Sequence, residues 1–292
     1  MGPRRPERTL MFQGSRPFGG RLSARLAASV TVALAAVTVA AGSASAAGLT
    51  AHGQLVHPAP GLKLNANQSS NWFGYSQGTL EQGSKLFNSI SGDWTVPAAS
   101  QHTAGTAEAS SDWIGVGGGC VDSGCTVTDS TLIQTGTEQD VDATGAPSYS
   151  AWWELVPAPS ITVSNMTVSP GDHMHASVAE LVNDADVWDI TITDVTKNET
   201  FTTTVPYPST HATAEWIEET PLEIGTDAGF AALPNLTNPA FNSGTVNGSA
   251  VKLTSSEEMQ LIDSNSNVIG TPSAPNAAGS GFDACTWATS CS

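Results

Sequence analysis

Gln134 and the acidic segment 214–219, which holds Glu218 and Glu219, are the features whose residue types and settings point most directly to chemistry. Gln134 lies between apolar β-forming residues in the run 131–136, and Glu219 ends an acidic and aromatic segment at 214–219. An amide and a carboxylate that meet can hydrolyse a peptide bond without serine, cysteine or metal. The carboxylate takes a proton from an attacking water and returns it to the departing amine. The amide N–H stabilises the oxyanion that develops.

The pH at which such a pair works depends on the carboxylate. A glutamate base with a near-ordinary pKa is ionised in mild acid, so the pair predicts a low pH optimum. The competing interpretation of Gln134 is a strand glutamine whose side chain only satisfies backbone groups.

Ser76 offers a second kind of chemistry, because Gly-Tyr-Ser-Gln-Gly at 74–78 matches the Gly-x-Ser-x-Gly motif of serine hydrolases. That motif needs a buried strand before the serine and a helix after it, with an acid and a histidine later in the chain. The preceding segment 65–70 is too polar for a buried parallel strand, and the helical signal after it is weak. A serine hydrolase is therefore the weaker hypothesis.

Two further motifs have structural explanations. Asp122-Ser123-Gly124 matches one half of an aspartic protease site, which needs two such aspartates, and the sequence holds no second copy. His173 and His175 would share one face of a strand and could ligate a metal, but the turn signal at 170–172 explains them as the solvated start of a strand. We predict no metal and no cofactor.

Eight tryptophans are spread along strand-like segments, and most should belong to the core of a β protein. Trp152 and Glu154 share one face of a strand, with Trp153 on the other. An aromatic ring beside a carboxylate suits a groove that binds a polymer. A lectin-like sandwich that binds or cleaves carbohydrate with Glu154 and Glu219 is therefore the alternative from another class.

The elements that must position these residues are strands. From residue 71 onward, short runs rich in Thr and Val alternate with Gly, Pro, Asn and Asp about every ten residues, which is typical of a sandwich or barrel. Examples are 190–195 and 201–205, and 282–287 suits a closing strand. Helical periodicity is scarce, so an alternating α/β architecture is disfavoured.

The first 46 residues are predicted to be a signal peptide. Arginines precede the apolar run 26–37, and Ala-Ser-Ala at 44–46 suits a signal peptidase. The run is too short for a spanning helix. Residues 47–70 are then an N-terminal arm or short pro-segment, and 71–292 a single β domain, which predicts a secreted, extracellular protein.

Removal of the signal peptide makes the chain strongly acidic. Residues 47–292 keep four lysines, no arginine and 26 acidic residues, a formal net charge of −22. A basic patch for nucleic acid or anionic membrane is excluded. In acid the carboxylates become neutral and four lysines leave little self-repulsion, which fits operation at low pH, although solubility alone also explains the acidity.

The four cysteines form two close pairs. In an exported chain, this grouping favours disulfides Cys120–Cys125 and Cys285–Cys291. Zinc is the competing interpretation, but the spacings are loose and no matching histidine pair accompanies them.

The chain resembles the glutamic peptidases, or eqolisins, in an ordered set of short blocks over about 150 residues, with weaker similarity toward residue 251. The blocks are Ser-Asn-Trp at 70–72, Gly-Asp-Trp-Thr-Val-Pro at 92–97, Trp-Ile-Gly-Val-Gly at 113–117, Leu-Ile-Gln-Thr-Gly at 132–136, Tyr-Ser-Ala-Trp-Trp-Glu-Leu-Val-Pro at 149–157, Ser-Pro-Gly-Asp at 169–172 and Ala-Glu-Trp-Ile-Glu-Glu at 214–219. Each block alone is common, but their order is specific.

The resemblance implies an all-β fold: a sandwich of two bent antiparallel sheets, of the concanavalin-like or jelly-roll type, with a concave substrate groove. It implies an endopeptidase acting on proteins or peptides, with the catalytic pair on Gln134 and on Glu219 rather than Glu218. We also expect a monomer. The implied substrate-binding residues are Trp72, Trp113, Trp152 and Glu154.

The sequence departs from the family pattern at two positions. Gly117 and Ser150 stand where the family's blocks have aspartate. These changes bear on substrate preference and on the pKa values in the site, and they leave the central pair intact.

Overall fold

The computed structural model describes residues 54–60, 67–224 and 229–292, so the predicted signal peptide lies outside the described residues. Strands dominate this part of the chain, with one 3-10 helix at Ser255–Glu257. The strands are β1 (Gln54–Val56), β2 (Gln68–Ser69), β3 (Trp72–Gly78), β4 (Ser89–Thr95), β5 (Ala99–Ser100), β6 (Glu108–Gly117), β7 (Leu132–Val141), β8 (Pro147–Leu155), β9 (Ile161–Thr162), β10 (His173–Leu181), β11 (Asp184–Asp194), β12 (Glu199–Pro206), β13 (Thr213–Glu219), β14 (Leu222–Ile224), β15 (Gly229–Phe230), β16 (Asn235–Leu236), β17 (Ala240–Val246), β18 (Ser249–Ala250), β19 (Glu258–Ile262), β20 (Val268–Pro272) and β21 (Phe282–Thr286).

The main strands follow one hydrogen-bonded path that folds back on itself. Its order is β12-β11-β10-β4-β17-β21-β20-β19-β3-β13-β6-β7-β8-β9. The first five strands form one layer and β3 to β9 of this path form the other, with β10 packing on β6 and β7 across the core. The protein is thus an all-β sandwich, as predicted, and strands lie where 190–195, 201–205 and 282–287 predict them.

The first layer shows why its sequence forms strands. Alternate residues of β10 and β11 are buried while their neighbours are more exposed, the period of a sheet with one face on the core. The inward residues are Met174, Ala176, Val178, Trp188, Ile190 and Ile192. Threonines stand at several outward positions of β11 and β12 and pair across these strands, as Thr191 does with Thr202 at 3.0 Å between their hydroxyl oxygens.

The second layer is buried on both faces. Every residue of β6, β7 and β13 is buried. One face packs on the main core, where Trp216 and Ile114 meet the first layer. The other face carries a separate apolar cluster of Trp72, Leu132, Trp113, Trp152, Ile217 and Met259. This second cluster lies on the face that carries the candidate site.

The segment predicted as an arm is built into the sheets where the structure describes it. β2 pairs in parallel with β19, and β1 pairs antiparallel with β14, with Val56 opposite Leu222. Both predicted disulfides, Cys120–Cys125 and Cys285–Cys291, are present. Because their sulfurs are bonded to each other, these cysteines offer no thiolates to zinc.

Candidate active site

Four neighbouring strands bring the polar candidates together. β6 lies between β13 and β7, and β8 follows β7. Gln134 of β7 is opposite Glu154 of β8, and Glu219 of β13 is opposite Ser111 of β6. Because side chains alternate across a strand, Gln134, Glu154 and Glu219 project from the same face of the sheet. All three are fully buried.

The amide of Gln134 has a defined orientation. Its Nε2 donates to the backbone carbonyl of His57 at 2.8 Å and to Glu154 Oε2 at 3.2 Å. Both partners accept hydrogen bonds, so the nitrogen rather than the oxygen of the amide must face them. Gln134 therefore presents an N–H group to a backbone carbonyl, an arrangement that suits both an oxyanion donor and a strand glutamine that satisfies backbone groups.

Glu219 receives hydrogen bonds from two side chains. Trp113 Nε1 donates to Oε2 at 2.8 Å, and Asn71 Nδ2 donates to Oε1 at 3.1 Å. His57 Nδ1 lies 3.2 Å from Oε2. The carboxyl group is thus held in place by neighbours on β6 and just before β3, and it touches the same residue, His57, that Gln134 contacts.

The pKa of Glu219 differs from the near-ordinary value that the sequence reasoning expects. Burial raises its pKa well above the usual range, and the charge of Glu154 adds to the rise, while the hydrogen bonds from Asn71 and Trp113 oppose it. Burial also raises the pKa of Glu154 to about 8. The protonated forms of both are favoured while the site is covered.

Tryptophans form the walls of the site. Trp72 packs edge-on against Trp113, with ring centroids 4.8 Å apart. Trp152 donates from Nε1 to the Ser111 hydroxyl at 2.9 Å. The implied substrate-binding residues Trp72, Trp113, Trp152 and Glu154 therefore surround Gln134 and Glu219.

His57 is the residue of the site that sequence reasoning missed. It follows β1 directly, and its ring stacks on Trp152 with centroids 3.8 Å apart and planes 5° from parallel. Its backbone N–H donates to Glu154 Oε2 at 3.0 Å, and its Nε2 lies 3.4 Å from Glu138 Oε2. A lone histidine before Pro58 carries no motif, so nothing local signals this placement. Glu138 has no motif around it either, whereas Asn71 lies in the Ser-Asn-Trp block at 70–72 but was given no role in the site.

A second group of acids lies on the opposite face of the same strands. Asp112 and Glu218 are opposite each other on β6 and β13, and Gln139 donates to Asp112 Oδ2 at 3.1 Å. Burial, and then the nearby Glu218, raise the pKa of Asp112 well above its usual range. Burial raises the pKa of Glu218 to about 7. These acids face the core rather than the groove.

The competing motifs have structural roles. Ser76 lies within β3, not at a strand-to-helix turn, and its hydroxyl donates to Glu215 at 3.1 Å. Asp122 accepts a hydrogen bond from the Thr126 backbone at 2.9 Å, inside the loop that Cys120 and Cys125 close.

His173 and His175 share a strand face and meet one carboxylate. His175 Nδ1 is 2.5 Å from Asp93 Oδ1, and His173 Nε2 is 3.8 Å from Asp93 Oδ2. Within residues 54–60, 67–224 and 229–292, no group of three or more His, Cys, Asp or Glu residues is placed to hold a metal ion. In the same part of the chain, no helix is long and apolar enough to cross a membrane.

The fold and the site define a class of protein, a β-sandwich in which a buried amide and buried carboxylates meet among tryptophans. The model of the Peptidase A4 family matches residues 70–279, and the chain belongs to this family. It is a peptidase of the glutamic type.

Solved structures share the fold. Two structures of scytalido-glutamic peptidase with transition-state analogues have TM-scores of 0.59 and 0.55, at 21% and 20% identity, each over 74% of this chain and 98% of the other. SCP-B, a member of the eqolisin family in complex with the tripeptide Ala-Ile-His, has a TM-score of 0.53 at 19% identity over the same shares. Comparison with curated proteins gives no match.

Proposed function

We propose that this peptidase is a secreted, monomeric acid endopeptidase in which Glu219 activates water and Gln134 stabilises the oxyanion. The observation that carries the proposal is that a single residue, His57, contacts both Gln134 and Glu219. Gln134 Nε2 lies 2.8 Å from the carbonyl oxygen of His57, and Glu219 Oε2 lies 3.2 Å from its side chain. An amide donor at its carbonyl and a carboxylate at its ring thus reach the same residue.

The reaction follows from these positions. Ionised Glu219 removes a proton from a water as the water attacks the carbonyl carbon, and the charge that develops on the carbonyl oxygen is stabilised by Gln134 Nε2. The glutamic acid then donates its proton to the departing amine. Glu154 accepts from the Gln134 amide and from a peptide N–H, so it positions both the donor and the substrate.

Acid activity requires Glu219 to be ionised at low pH. The hydrogen bonds from Asn71 and Trp113 favour the carboxylate. Burial, which raises the pKa of Glu219, diminishes when solvent enters the groove. The working enzyme is therefore a form in which the groove is open to substrate and water.

The segment beside Gln134 and Glu219 is a peptide with histidine next to the amide and the carboxylate. The tripeptide in the SCP-B complex is Ala-Ile-His, and the residues in the groove here are Leu55, Val56 and His57, again an aliphatic residue followed by histidine.

Casein digestion near pH 3 by the secreted full chain tests the proposal. Gln134→Ala should lower the rate about 10²–10³-fold, the usual loss for one oxyanion donor. Glu219→Gln should abolish the activity, because the amide cannot accept the proton. Ser76→Ala is the matched control and should retain the activity. Full activity in Gln134→Ala or Glu219→Gln would remove the proposal, and turnover of polysaccharide with intact casein would favour the lectin-like alternative.

A further inference from the structure

A tyrosine hydroxyl lies inside the backbone ladder that joins β7 to β8, at the end next to the candidate site. Leu132 and Val156 follow the pair Ile133 and Leu155 in this ladder, and antiparallel residues at such a position exchange two N–H···O bonds. One bond is direct, from the Val156 N–H to the Leu132 carbonyl at 3.0 Å. The other runs through the Tyr207 hydroxyl, which accepts from the Leu132 N–H at 2.8 Å and donates to the Val156 carbonyl at 2.8 Å.

The inserted oxygen atom holds the ends of the two strands apart on one side. A direct bond would bring the backbone nitrogen and oxygen to about 2.9 Å, and two successive bonds through a hydroxyl keep them roughly 1–2 Å farther apart. Because hydrogen-bonded pairs alternate along an antiparallel ladder, the next such pair is Gln134 opposite Glu154. The spacing at the Tyr207 hydroxyl therefore bears directly on the position of the candidate amide donor.

Tyr207 itself is fixed to the first layer of the sandwich. It follows β12 directly and lies between Pro206 and Pro208, whose rings restrict the backbone. Its N–H donates to the Asp186 carbonyl at 2.7 Å, and its carbonyl accepts from Trp188 Nε1 at 3.0 Å. Its ring belongs to the main core. The side chain thus connects a rigid part of one layer to the strand ends that carry the site in the other.

The hydroxyl can accept and donate at once only while it keeps its proton. Burial raises the pKa of Tyr207 above its usual range, and the charges of Asp129 and Glu154 add to the rise, while the hydrogen bond from the Leu132 backbone opposes it. The bond to the Val156 carbonyl is therefore present throughout the acid and neutral range.

We propose that Tyr207 is a positioning residue for the peptidase reaction: its hydroxyl sets the separation of β7 and β8, and thereby the point from which Gln134 Nε2 donates to the substrate carbonyl. It acts through the backbone of Leu132 and Val156. This inference rests on the proposed function, because it concerns the position of the amide that stabilises the oxyanion there.

The other tyrosines of the chain provide matched controls. The sequence holds three tyrosines, and the hydroxyl of each bonds to the backbone. Tyr149, near the start of β8, accepts from the Ala99 N–H at 2.9 Å, and Tyr75 donates to the Ser273 carbonyl at 2.7 Å. Each change from tyrosine to phenylalanine removes one oxygen atom and keeps the ring. A loss common to all three variants reports on stability, and a loss peculiar to Tyr207→Phe reports on positioning.

Steady-state kinetics with a fluorogenic peptide in acid measures the effect. Tyr207→Phe should lower kcat about 10–100-fold, because a shift on the order of 1 Å at a catalytic group can cost 10²-fold. KM should change little, because an oxyanion donor acts in the transition state rather than on the bound substrate. Tyr149→Phe and Tyr75→Phe should keep kcat. A Tyr207→Phe chain with unchanged kcat, or with only a raised KM, would overturn the inference.

Thermal unfolding of the same chains separates positioning from stability. Loss of a tyrosine hydroxyl that bonds to the backbone should lower the melting temperature by about 2–6 °C in each variant. The kinetic assays are run well below the lowest melting temperature. If kcat followed the melting temperature across Tyr75→Phe, Tyr149→Phe and Tyr207→Phe, the role of Tyr207 would be structural and the inference would be wrong.

A double variant tests whether the hydroxyl acts through Gln134. Tyr207→Phe introduced into the Gln134→Ala chain should lower kcat no further, because the group that Tyr207 positions is absent. Tyr149→Phe in the same background is the reference. If the losses of Gln134→Ala and Tyr207→Phe instead multiply, Tyr207 acts on another group and the inference fails.

Nuclear magnetic resonance follows the amide without using activity. The side-chain NH₂ signals of Gln134 are identified by their absence from the spectrum of Gln134→Ala. They should move in Tyr207→Phe and stay in place in Tyr149→Phe; unmoved signals in Tyr207→Phe would contradict the inference. If Tyr207→Phe does not fold, Trp188→Phe takes its place, since it keeps the hydroxyl but removes the bond to the Tyr207 carbonyl. The same signals should then move, and unmoved signals would again contradict the inference.

The two proposals fail in different ways. If Gln134→Ala digests peptide at the full rate, the proposed function fails and the inference fails with it. If Gln134→Ala is slow but Tyr207→Phe is as fast as Tyr149→Phe, the inference fails alone and the proposed function survives.

Discussion

The buried acids between the two layers predict that this protein is most stable in acid. Glu218 faces Asp112 in the core, and burial raises its pKa from 4.5 to about 7. Below pH 4.5 the Glu218 carboxyl is protonated in both the folded and the unfolded chain, so it does not lower the free energy of unfolding there. Between 4.5 and 7 only the unfolded chain releases the proton, so stability falls as the pH rises.

The size of this loss can be worked out for one residue. A rise of about 2.5 pKa units corresponds to roughly 3 kcal/mol at a pH above 7, at 1.36 kcal/mol per unit. For a domain of this length, 1 kcal/mol moves the melting temperature by about 2–4 °C. Glu218 alone should therefore lower the melting temperature by about 6–12 °C between pH 4 and pH 8.

Thermal unfolding followed by circular dichroism, with Glu218→Gln compared at the two pH values, measures this contribution. All chains carry Gln134→Ala to prevent self-digestion. The Glu218→Gln chain should lose about 3 kcal/mol less between pH 4 and pH 8 than its parent, because glutamine has no proton to release. Asp184→Asn, which removes an exposed acid, is the matched control and should follow the parent. If the stability of the Glu218→Gln chain and that of the Gln134→Ala parent fell equally between pH 4 and pH 8, Glu218 would not be the cause of the loss.

Three further outcomes follow from single contacts. Asn71→Ala removes a donor to the Glu219 carboxylate, so the acid limb of the kcat/KM profile should move up by about one pH unit; an unmoved limb would contradict that role. Gly117 has φ +101° and no room for a Cβ, so Gly117→Asp should lower stability by about 3 kcal/mol or more rather than improve activity, measured by thermal unfolding. Replacing Cys120 and Cys125 by serine opens a short loop and should cost about 2 kcal/mol; an unchanged melting temperature would argue that the bond is dispensable.

The sequence predicts those features of the fold that local patterns encode. Strand period and turn residues predict the sandwich, and alternation alone places Trp152 and Glu154 on one face, where the structure has them. The joint placement of Gln134 and Glu219 depended on resemblance, because a separation of 85 residues leaves no local trace. The roles of these two residues remain predictions.

What the sequence could not predict are the contacts made across the whole chain. His57 meets Gln134 77 positions away, through a segment that composition marks only as an arm. The abundance of acids suggests a soluble surface, yet twelve of them are buried, Asp112 and Glu218 among them. Burial of a carboxyl group depends on which strand lies opposite, so composition could not show it. For the same reason the expected near-ordinary pKa of Glu219 does not hold for the covered site.

The two ends of the main strand path are edges at which a strand of a second copy of the chain could pair. Among the described residues the path ends in β12 on one side and in the two-residue β9 on the other. β12 begins with Glu199, closes with Pro206, and turns threonine hydroxyls outward. An edge strand that begins with a charged residue, ends with proline and exposes hydroxyl groups is a poor template for a strand of another molecule. In the described part of the chain, where nearly all regular structure is strand, such edges disfavour pairing with a strand of a second copy, in acid as well as at neutral pH.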